Sequence, residues 1–393
     1  MQLTEKQKSE GWRIVKFGDV AQEVKASTKD PLGEGIERYI GLEHIDPESL
    51  RLARYGVIAE DNPTFTKKFS AGDILFGRRR AYLKKAAVAD FDGICSGDIT
   101  VIAPKGEDLV PDLLPFIVQS EPFFDWAVKH SAGGLSPRTK FKSLAEFKFP
   151  LPPRPRQEEM LEVFEKFFAA TKNNNDAIIS VERLIKKIII ECFEEGKKLP
   201  QEEIGNEKFF KVESGGTPSS SKKEYWNGNV NWITLADLPA ENMFTEISKS
   251  ERRITEFGLK NSSAKLLPID TILVSTRATI GRIAIATAET STNQGYKNII
   301  VKDKNAFLPI YIVMILIAQQ RWLEAISAGG TFKEISKKHF CQVKIPRLPL
   351  VKQEKFVSTF CELRKQRQTL IDNQNKLKNT EKKFITAILE GEA

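Results

Sequence analysis

Lys148-Phe149-Pro150-Leu151-Pro152-Pro153-Arg154-Pro155-Arg156-Gln157-Glu158 and Lys344-Ile345-Pro346-Arg347-Leu348-Pro349-Leu350-Val351-Lys352-Gln353-Glu354 are two versions of one junction, 196 residues apart. In each, a short apolar run meets prolines, and a Gln-Glu pair then opens a long stretch without proline. Proline fixes φ and removes an amide donor, so regular structure stops where the prolines cluster and restarts beyond them. The same offset aligns Ala132-Gly133-Gly134 with Ala328-Gly329-Gly330 and Phe164 with Phe360. Upstream the register drifts by a few residues, as loops of unequal length produce. There Arg80-Ala81 aligns with Arg277-Ala278, Ala87-Val88-Ala89 with Ala284-Ile285-Ala286, and Tyr39-Ile40-Gly41-Leu42 with Trp232-Ile233-Thr234-Leu235. Solenoid repeats run about 20 to 50 residues, so each copy here is a whole domain followed by a helix.

Within each copy, Asp73–Phe76, Lys85–Ala89, Ile99–Ala103, Thr271–Val274 and Ile283–Ala286 are β-branched or alternating and predict strands. Gln157–Glu195 and Lys352–Glu390 predict two helices, with Gly196 and Gly391 placed as C-caps. Leu363, Leu370, Leu377 and Phe384 recur every seven residues, with Phe360 interleaved; the first helix offers Phe164, Phe168, Ile178, Ile185 and Ile188. One such helix alone reads as an ordinary bundle helix, but two in equivalent places read as a coiled-coil pair, with Thr171, Asn175, Arg367 and Gln374 as polar seam positions. At 1.5 Å per residue each helix is about 55 to 60 Å long, enough to space two domains by a DNA turn of about 34 Å. The expected fold is α+β: globular domains over 1–153 and 198–349, separated by two long antiparallel coiled-coil helices over 154–197 and 350–393.

The 393 residues carry 60 Lys plus Arg against 52 Asp plus Glu, a formal net charge of +8 that suits a polyanionic partner without proving one. Cys95, Cys192, Cys341 and Cys361 are far apart in apolar surroundings, which reads as buried thiols. The polar start Met1–Glu10 has no signal-peptide character, and the most apolar stretch, Ile310–Ala318, is too short to span a bilayer. The expectation is a cytoplasmic protein without a membrane partner.

Basic and hydroxyl residues collect at matching places in the two copies. The first has Arg78, Arg79, Arg80, Tyr82, Lys84 and Lys85 after a strand, and the second Thr276, Arg277, Thr279 and Arg282. Ser136, Arg138 and Lys140 follow the first Gly-Gly turn; Thr331 and Lys333 follow the second. Loop arginines pair with guanine edges or phosphates, and glycine lets backbone approach a phosphate. A solvated basic face and an ordinary tight turn explain the same residues one at a time; recurrence at equivalent places is what favours DNA. The loop Gly215-Gly216-Thr217-Pro218 with Lys222, Lys223, Tyr225 and Trp226 reads equally as a DNA-binding loop or as an aromatic pair anchored in the core.

Ser214-Gly215-Gly216-Thr217-Pro218, Trp226, Trp232-Ile233, Asp237-Leu238, Arg277-Ala278-Thr279-Ile280-Gly281 and Asn293-Gln294-Gly295, followed by Gly329-Gly330, Ile345-Pro346 and Gln353, resemble a Type I target recognition domain. The first copy is a variant, with Gly72-Asp73-Ile74-Leu75-Phe76-Gly77 and Gly93-Ile94-Cys95-Ser96-Gly97-Asp98. The whole chain beyond its first ten or so residues is similar to a Type I restriction-modification specificity subunit. That resemblance implies two domains reading the halves of an interrupted double-stranded DNA site, and helices that dock two modification subunits. Restriction subunits are an optional further partner. S-adenosylmethionine and ATP are then expected on those partners, with no cofactor or metal in this chain. Consistent with that, Leu151-Pro152-Pro153-Arg154 is not an adenine methyltransferase motif, no phosphate-binding G-x-x-x-x-G-K-[ST] occurs, and His44, His130 and His339 are isolated. An enzyme with unrecognised motifs and a purely protein-joining scaffold stay open as alternatives.

Overall fold

Ile272-Leu273-Val274-Ser275 is buried at every position, and so is Ile74-Leu75-Phe76-Gly77. A strand covered on both faces reads as a continuous apolar run, not as an alternation, and these two runs are the inner strands of the main sheet in each repeat. The computed structural model describes residues 3–239, 244–327 and 334–390. It divides into two units, Met1–Asn175 with Asp372–Ala393, and Asp176–Ile371. Both divisions fall inside long helices, Arg154–Gly196 and Leu350–Glu390, so each unit contains a globular part and a portion of each helix.

In the first unit, one sheet runs in the order Ala21–Glu23, Ile99–Pro104, Ile74–Gly77 and Ala86–Val88, antiparallel throughout. A second has the order Gly56–Val57, Arg38–Ile40, Gly93–Cys95 and Lys67–Phe69, its middle pair parallel. In the second unit the main sheet is Phe210–Ser214, Tyr296–Val301, Ile272–Ser275, Ile283–Ala286 and Phe244–Ile247, and the smaller sheet is Arg253–Ile254, Trp226–Ile233 and Thr290–Thr292. Registers make the repeat explicit. Ile74 faces Val88 and Ile102 as Ile272 faces Ile285 and Ile299, and Tyr39 runs parallel to Ile94 as Trp232 does to Ser291. The added edge strand Phe244–Ile247 survives in the first unit as a single parallel bridge, Arg51 to Val88.

The junction that opens the repeat is a strand in both units. Lys148–Leu151 pairs antiparallel with Arg13–Lys16, and Lys344–Pro346 with Gln201–Glu203. Immediately after it, a buried glutamine closes the root of the long helix. Gln157 Oε1 accepts from the Val110 amide at 2.8 Å, while its Nε2 donates to the Asp108 and Pro152 carbonyls at 2.9 Å each. Gln353 repeats this: Oε1 accepts from the Leu308 amide at 2.9 Å, and Nε2 donates to Ala306 at 2.8 Å and Leu348 at 2.7 Å. A buried amide is tolerated where all its groups are paired, and here it fixes where each helix leaves its domain. The apolar helix Pro309–Ala318, buried from Tyr311 to Ile317, is a core helix of the second unit. Among the described residues no helix is long and apolar enough to cross a membrane.

The helices pack antiparallel within each unit. In the first, Phe164 stacks on Phe116 at 4.3 Å and meets Phe384 edge-on at 5.5 Å, and Asn174 Nδ2 donates to Gln374 Oε1 at 2.7 Å. In the second, Arg367 Nε donates to Glu182 at 2.7 Å, Lys352 pairs with Glu195, and Ile185, Ile189 and Cys192 enter the core that contains Phe360. Ile178, Ile188, Leu363, Leu370 and Leu377 lie half-buried along the seam, as their spacing predicts. Three sequence assignments change. Asn174, not Asn175, is the seam asparagine, because Asn175 is exposed. Phe168 is 38% exposed and lies under the Arg51 guanidinium at 4.0 Å, while Phe167 takes the seam side near Phe384. Gly196 is the last helical residue and no left-handed cap: a Cβ there would come within 2.6 Å of Pro346, so close packing requires the glycine. Gly391 lies outside the described residues.

Candidate nucleic-acid interface

The backbone around the basic loops corrects the alignment by one residue. Arg78 donates its amide to Asp98 O and accepts at its carbonyl from Thr139; Thr276 does the same with Gly295 O and Ile335. Arg79 therefore corresponds to Arg277, and Arg80 to Ala278, both of which have positive φ, 54° and 63°. At the far end Gly77 donates to Lys85 O as Ser275 does to Arg282 O. The first loop is one residue longer, which is why the register drifts here.

Lys85 and Arg282 occupy the same place and both turn inward, Lys85 Nζ to Leu42 O at 2.7 Å and Arg282 to Leu238 O at 3.3 Å. Lys84 pairs with Glu121 and Glu48, and Lys382 of the second helix joins the same two carboxylates at 3.8 and 2.7 Å. Thr276 is buried with its hydroxyl on Gly295 O at 3.2 Å, and Tyr225 is 4% exposed. Gly216 is buried, accepts from Trp232 Nε1 at 2.9 Å, and has no room for a side chain, since a Cβ would meet the Ala264 nitrogen at 2.2 Å. Lys222 donates to the Tyr225 hydroxyl at 3.0 Å. These residues hold the loops.

Others are presented to solvent. Arg80, Tyr82, Arg138 and Lys140 are exposed in the first unit, and Thr217, Lys223, Arg277 and Thr279 in the second. The Arg80 side chain makes no hydrogen bond or ion pair among the described residues, while its backbone amide donates to Pro137 O at 2.8 Å. Thr331 and Lys333 lie outside the described residues.

Sequence reasoning missed the carboxylates. Asp98 joins the two loops of the first unit: Arg138 Nε donates to Oδ1 at 2.7 Å, and Arg79 donates to Oδ2 at 3.3 Å and to the Ser136 hydroxyl at 3.2 Å. Burial of Asp98 opposes its ionisation, but the Arg138 and Arg79 guanidinium groups together hold it below the usual carboxylate range. Nε of Arg78 and Nε of Arg79 are buried without a partner among the described residues. In the second unit the carboxylate is Glu334, which stands where Arg138 stands in the first: the bridge Arg79–Arg138 becomes Arg277–Glu334. Glu334 faces Arg277 at 3.8 Å and the buried Lys297 at 4.0 Å. Burial lowers the Lys297 pKa and Glu334 offsets part of that. No spacing rule links residues 98 and 138, so only their meeting in the fold exposes the arrangement. Each smaller sheet also stacks an arginine on two rings, Arg38 on Tyr55 and Phe91, and Arg252 on Trp226 and Trp232.

The family described as "Type I restriction modification DNA specificity domain" matches residues 9–183 and again 202–386, in step with the two repeats. Over 165 residues the chain is 38% identical to the Type I restriction enzyme MjaIX specificity subunit of Methanocaldococcus jannaschii, an alignment covering 42% of this chain and 37% of that relative's length. It is 23% identical over 408 residues to the putative type I restriction enzyme MjaX specificity subunit of the same organism, covering 96% of this chain and 90% of that relative. A solved chain described under complex assembly and conformational transition of the type I R-M system is similar in fold, with a TM-score of 0.64, 22% identity and full coverage of both chains.

Proposed function

The chain belongs to the Type I restriction modification DNA specificity family, and from that premise we propose that it reads a split, asymmetric double-stranded DNA site, one half per unit, and performs no chemistry itself. Its helices dock two modification subunits, which bring S-adenosylmethionine and methylate adenine; ATP-dependent restriction subunits join as an optional further partner. The cytoplasm is its place of work. One observation carries this reading: the loop after the inner strand makes the same bridge in both units, Arg79 to Arg138 and Arg277 to Glu334, with different side chains around it. A shared scaffold with unlike loops suits two unlike half-sites. The net charge of +8 supplies the attraction to duplex that all DNA readers need. A scaffold that only joins proteins has no use for paired arginine loops.

The test is expression of the full chain with the modification subunits of the same system, followed by sequencing of adenine methylation. A split recognition sequence is expected. Arg277→Ala is expected to reduce methylation at that sequence by about tenfold, within what one base-edge pairing contributes. Unchanged methylation removes Arg277 from the reading surface. Cleavage or methyl transfer by the pure chain, given DNA, metal and S-adenosylmethionine, overturns the non-catalytic assignment.

A further inference from the structure

Asp98 and Glu334 are the two carboxylates inside the loops that the proposed function uses for reading. A carboxylate at a surface meant for a polyanion repels phosphate, so its presence in both loop pairs asks for a physical role. In the first unit, Asp98 sits with a side chain 20% exposed between Arg79 and Arg138, whose side chains are 39% and 46% exposed. Arg138 meets both of its oxygens, at 2.7 and 3.4 Å. Arg79 is held from both sides, by Asp98 and by Ser136. In the second unit the charge pattern is transposed, with the carboxylate on the Glu334 position and Arg277 and Lys297 as the cations. Two cations share one carboxylate in each case, although the carboxylate comes from a different segment of chain.

We propose that Asp98 and Glu334 are positioning residues for recognition, each holding the loop arginine beside it in one rotamer aimed at the edges of the DNA bases. This inference rests on the DNA-reading assignment above. A free arginine side chain spreads over many rotamers, and a fixed guanidinium fork meets a guanine edge without losing that freedom on binding. The carboxylate also cancels one of two positive charges, which weakens attraction to phosphate common to every sequence. Discrimination therefore rises while non-specific affinity falls. The transposition assigns two guanidinium groups, Arg79 and Arg138, to the first half-site, and one, Arg277, to the second.

Asp98→Asn tests this in the full chain expressed with the modification subunits of its system, read by genome-wide adenine methylation. The expected result is relaxed sequence preference in one half-site alone, by about tenfold at its most selective position, with the other half-site unaltered. In parallel, binding of a random-sequence duplex by the purified complex gains affinity and acquires a steeper dependence on NaCl. If Asp98→Asn lowers the yield of folded protein, Ser136→Ala, which removes only the hydroxyl supporting Arg79, is expected to relax the same half-site by about threefold. A methylated split sequence that is identical in the wild type, Asp98→Asn and Ser136→Ala overturns the positioning role and leaves the DNA-reading assignment standing. Absence of any sequence preference in the wild-type complex overturns both.

Discussion

Gln157 and Gln353 make the same three hydrogen bonds in the two units, whereas Arg138 and Glu334 occupy the same backbone position with opposite charge. The contact between strand and helix differs in a similar way. In the first unit Arg51 lies on the ring of Phe168; in the second Glu246 pairs with Arg364 at 3.4 Å, and Arg364 lies on Phe244 at 4.2 Å. The strand and helix residues have changed places in polarity. Groups that satisfy buried backbone are held constant between the units because no substitute meets three partners at once. Groups at the surface change freely provided each local cluster still balances its charge.

The largest effect expected from this comparison is at the glutamines. Gln157→Leu and Gln353→Leu each leave one buried amide and two carbonyls unpaired, a loss of about 3 kcal/mol or more. Hydrogen exchange at the Val110 and Leu308 amides reads it, and exchange that accelerates in one unit alone breaks their equivalence.

A smaller effect is expected at the strand-helix contact. Phe168→Ala and Arg364→Ala each cost about 1 kcal/mol, measured as faster exchange along the adjoining helix. Added NaCl weakens the Glu246–Arg364 contact more than the Arg51–Phe168 one, because an exposed ion pair is screened. Equal salt dependence contradicts the assignment of different forces to the two contacts.

The smallest effect separates the two units by pH. In the first unit the second long helix adds to its buried Ile385 and Ile388 a link from Lys382 to Glu48 and Glu121, beside Lys84, whereas in the second the first long helix enters the core through Ile185, Ile189 and Cys192. The Lys382 hydrogen bond outweighs burial and keeps the Glu48 carboxyl below its ordinary range. A carboxylate depressed in the folded state contributes stability that is complete above the unfolded value, about 4.3, and is lost as pH falls through the folded value. Glu381, raised by burial, shifts the opposite way, so Glu48→Gln isolates the contribution. Amides of residues 378–388 are expected to lose exchange protection below about pH 4 in the wild type and already at neutral pH in Glu48→Gln, with 185–192 unaffected. Acid sensitivity of both segments alike refutes the contrast.

Much of this fold is legible along the chain. The repeated proline junction marks the roots of both helices, seven-residue spacing marks their seam, and β-branched runs mark the inner strands, because periodicity and backbone chemistry are local properties. The family assignment follows from motifs in order along the sequence. The reading loops are less legible. Lys85, Arg282, Thr276 and Tyr225 look like surface candidates by composition, yet they are turned inward by carbonyls or covered by apolar neighbours from distant segments.

What the sequence determined alone was the duplication, the helices and the kind of domain, each encoded by residues close together or by a fixed offset. What only the tertiary structure decided was the one-residue correction that equates Arg79 with Arg277, and the choice of Asp98 and Glu334 as the countercharges of the loop cations. Charge pairing acts across space. Residues 98 and 138, or 277 and 334, become neighbours only after the sheets form, so no pattern along the chain announces them.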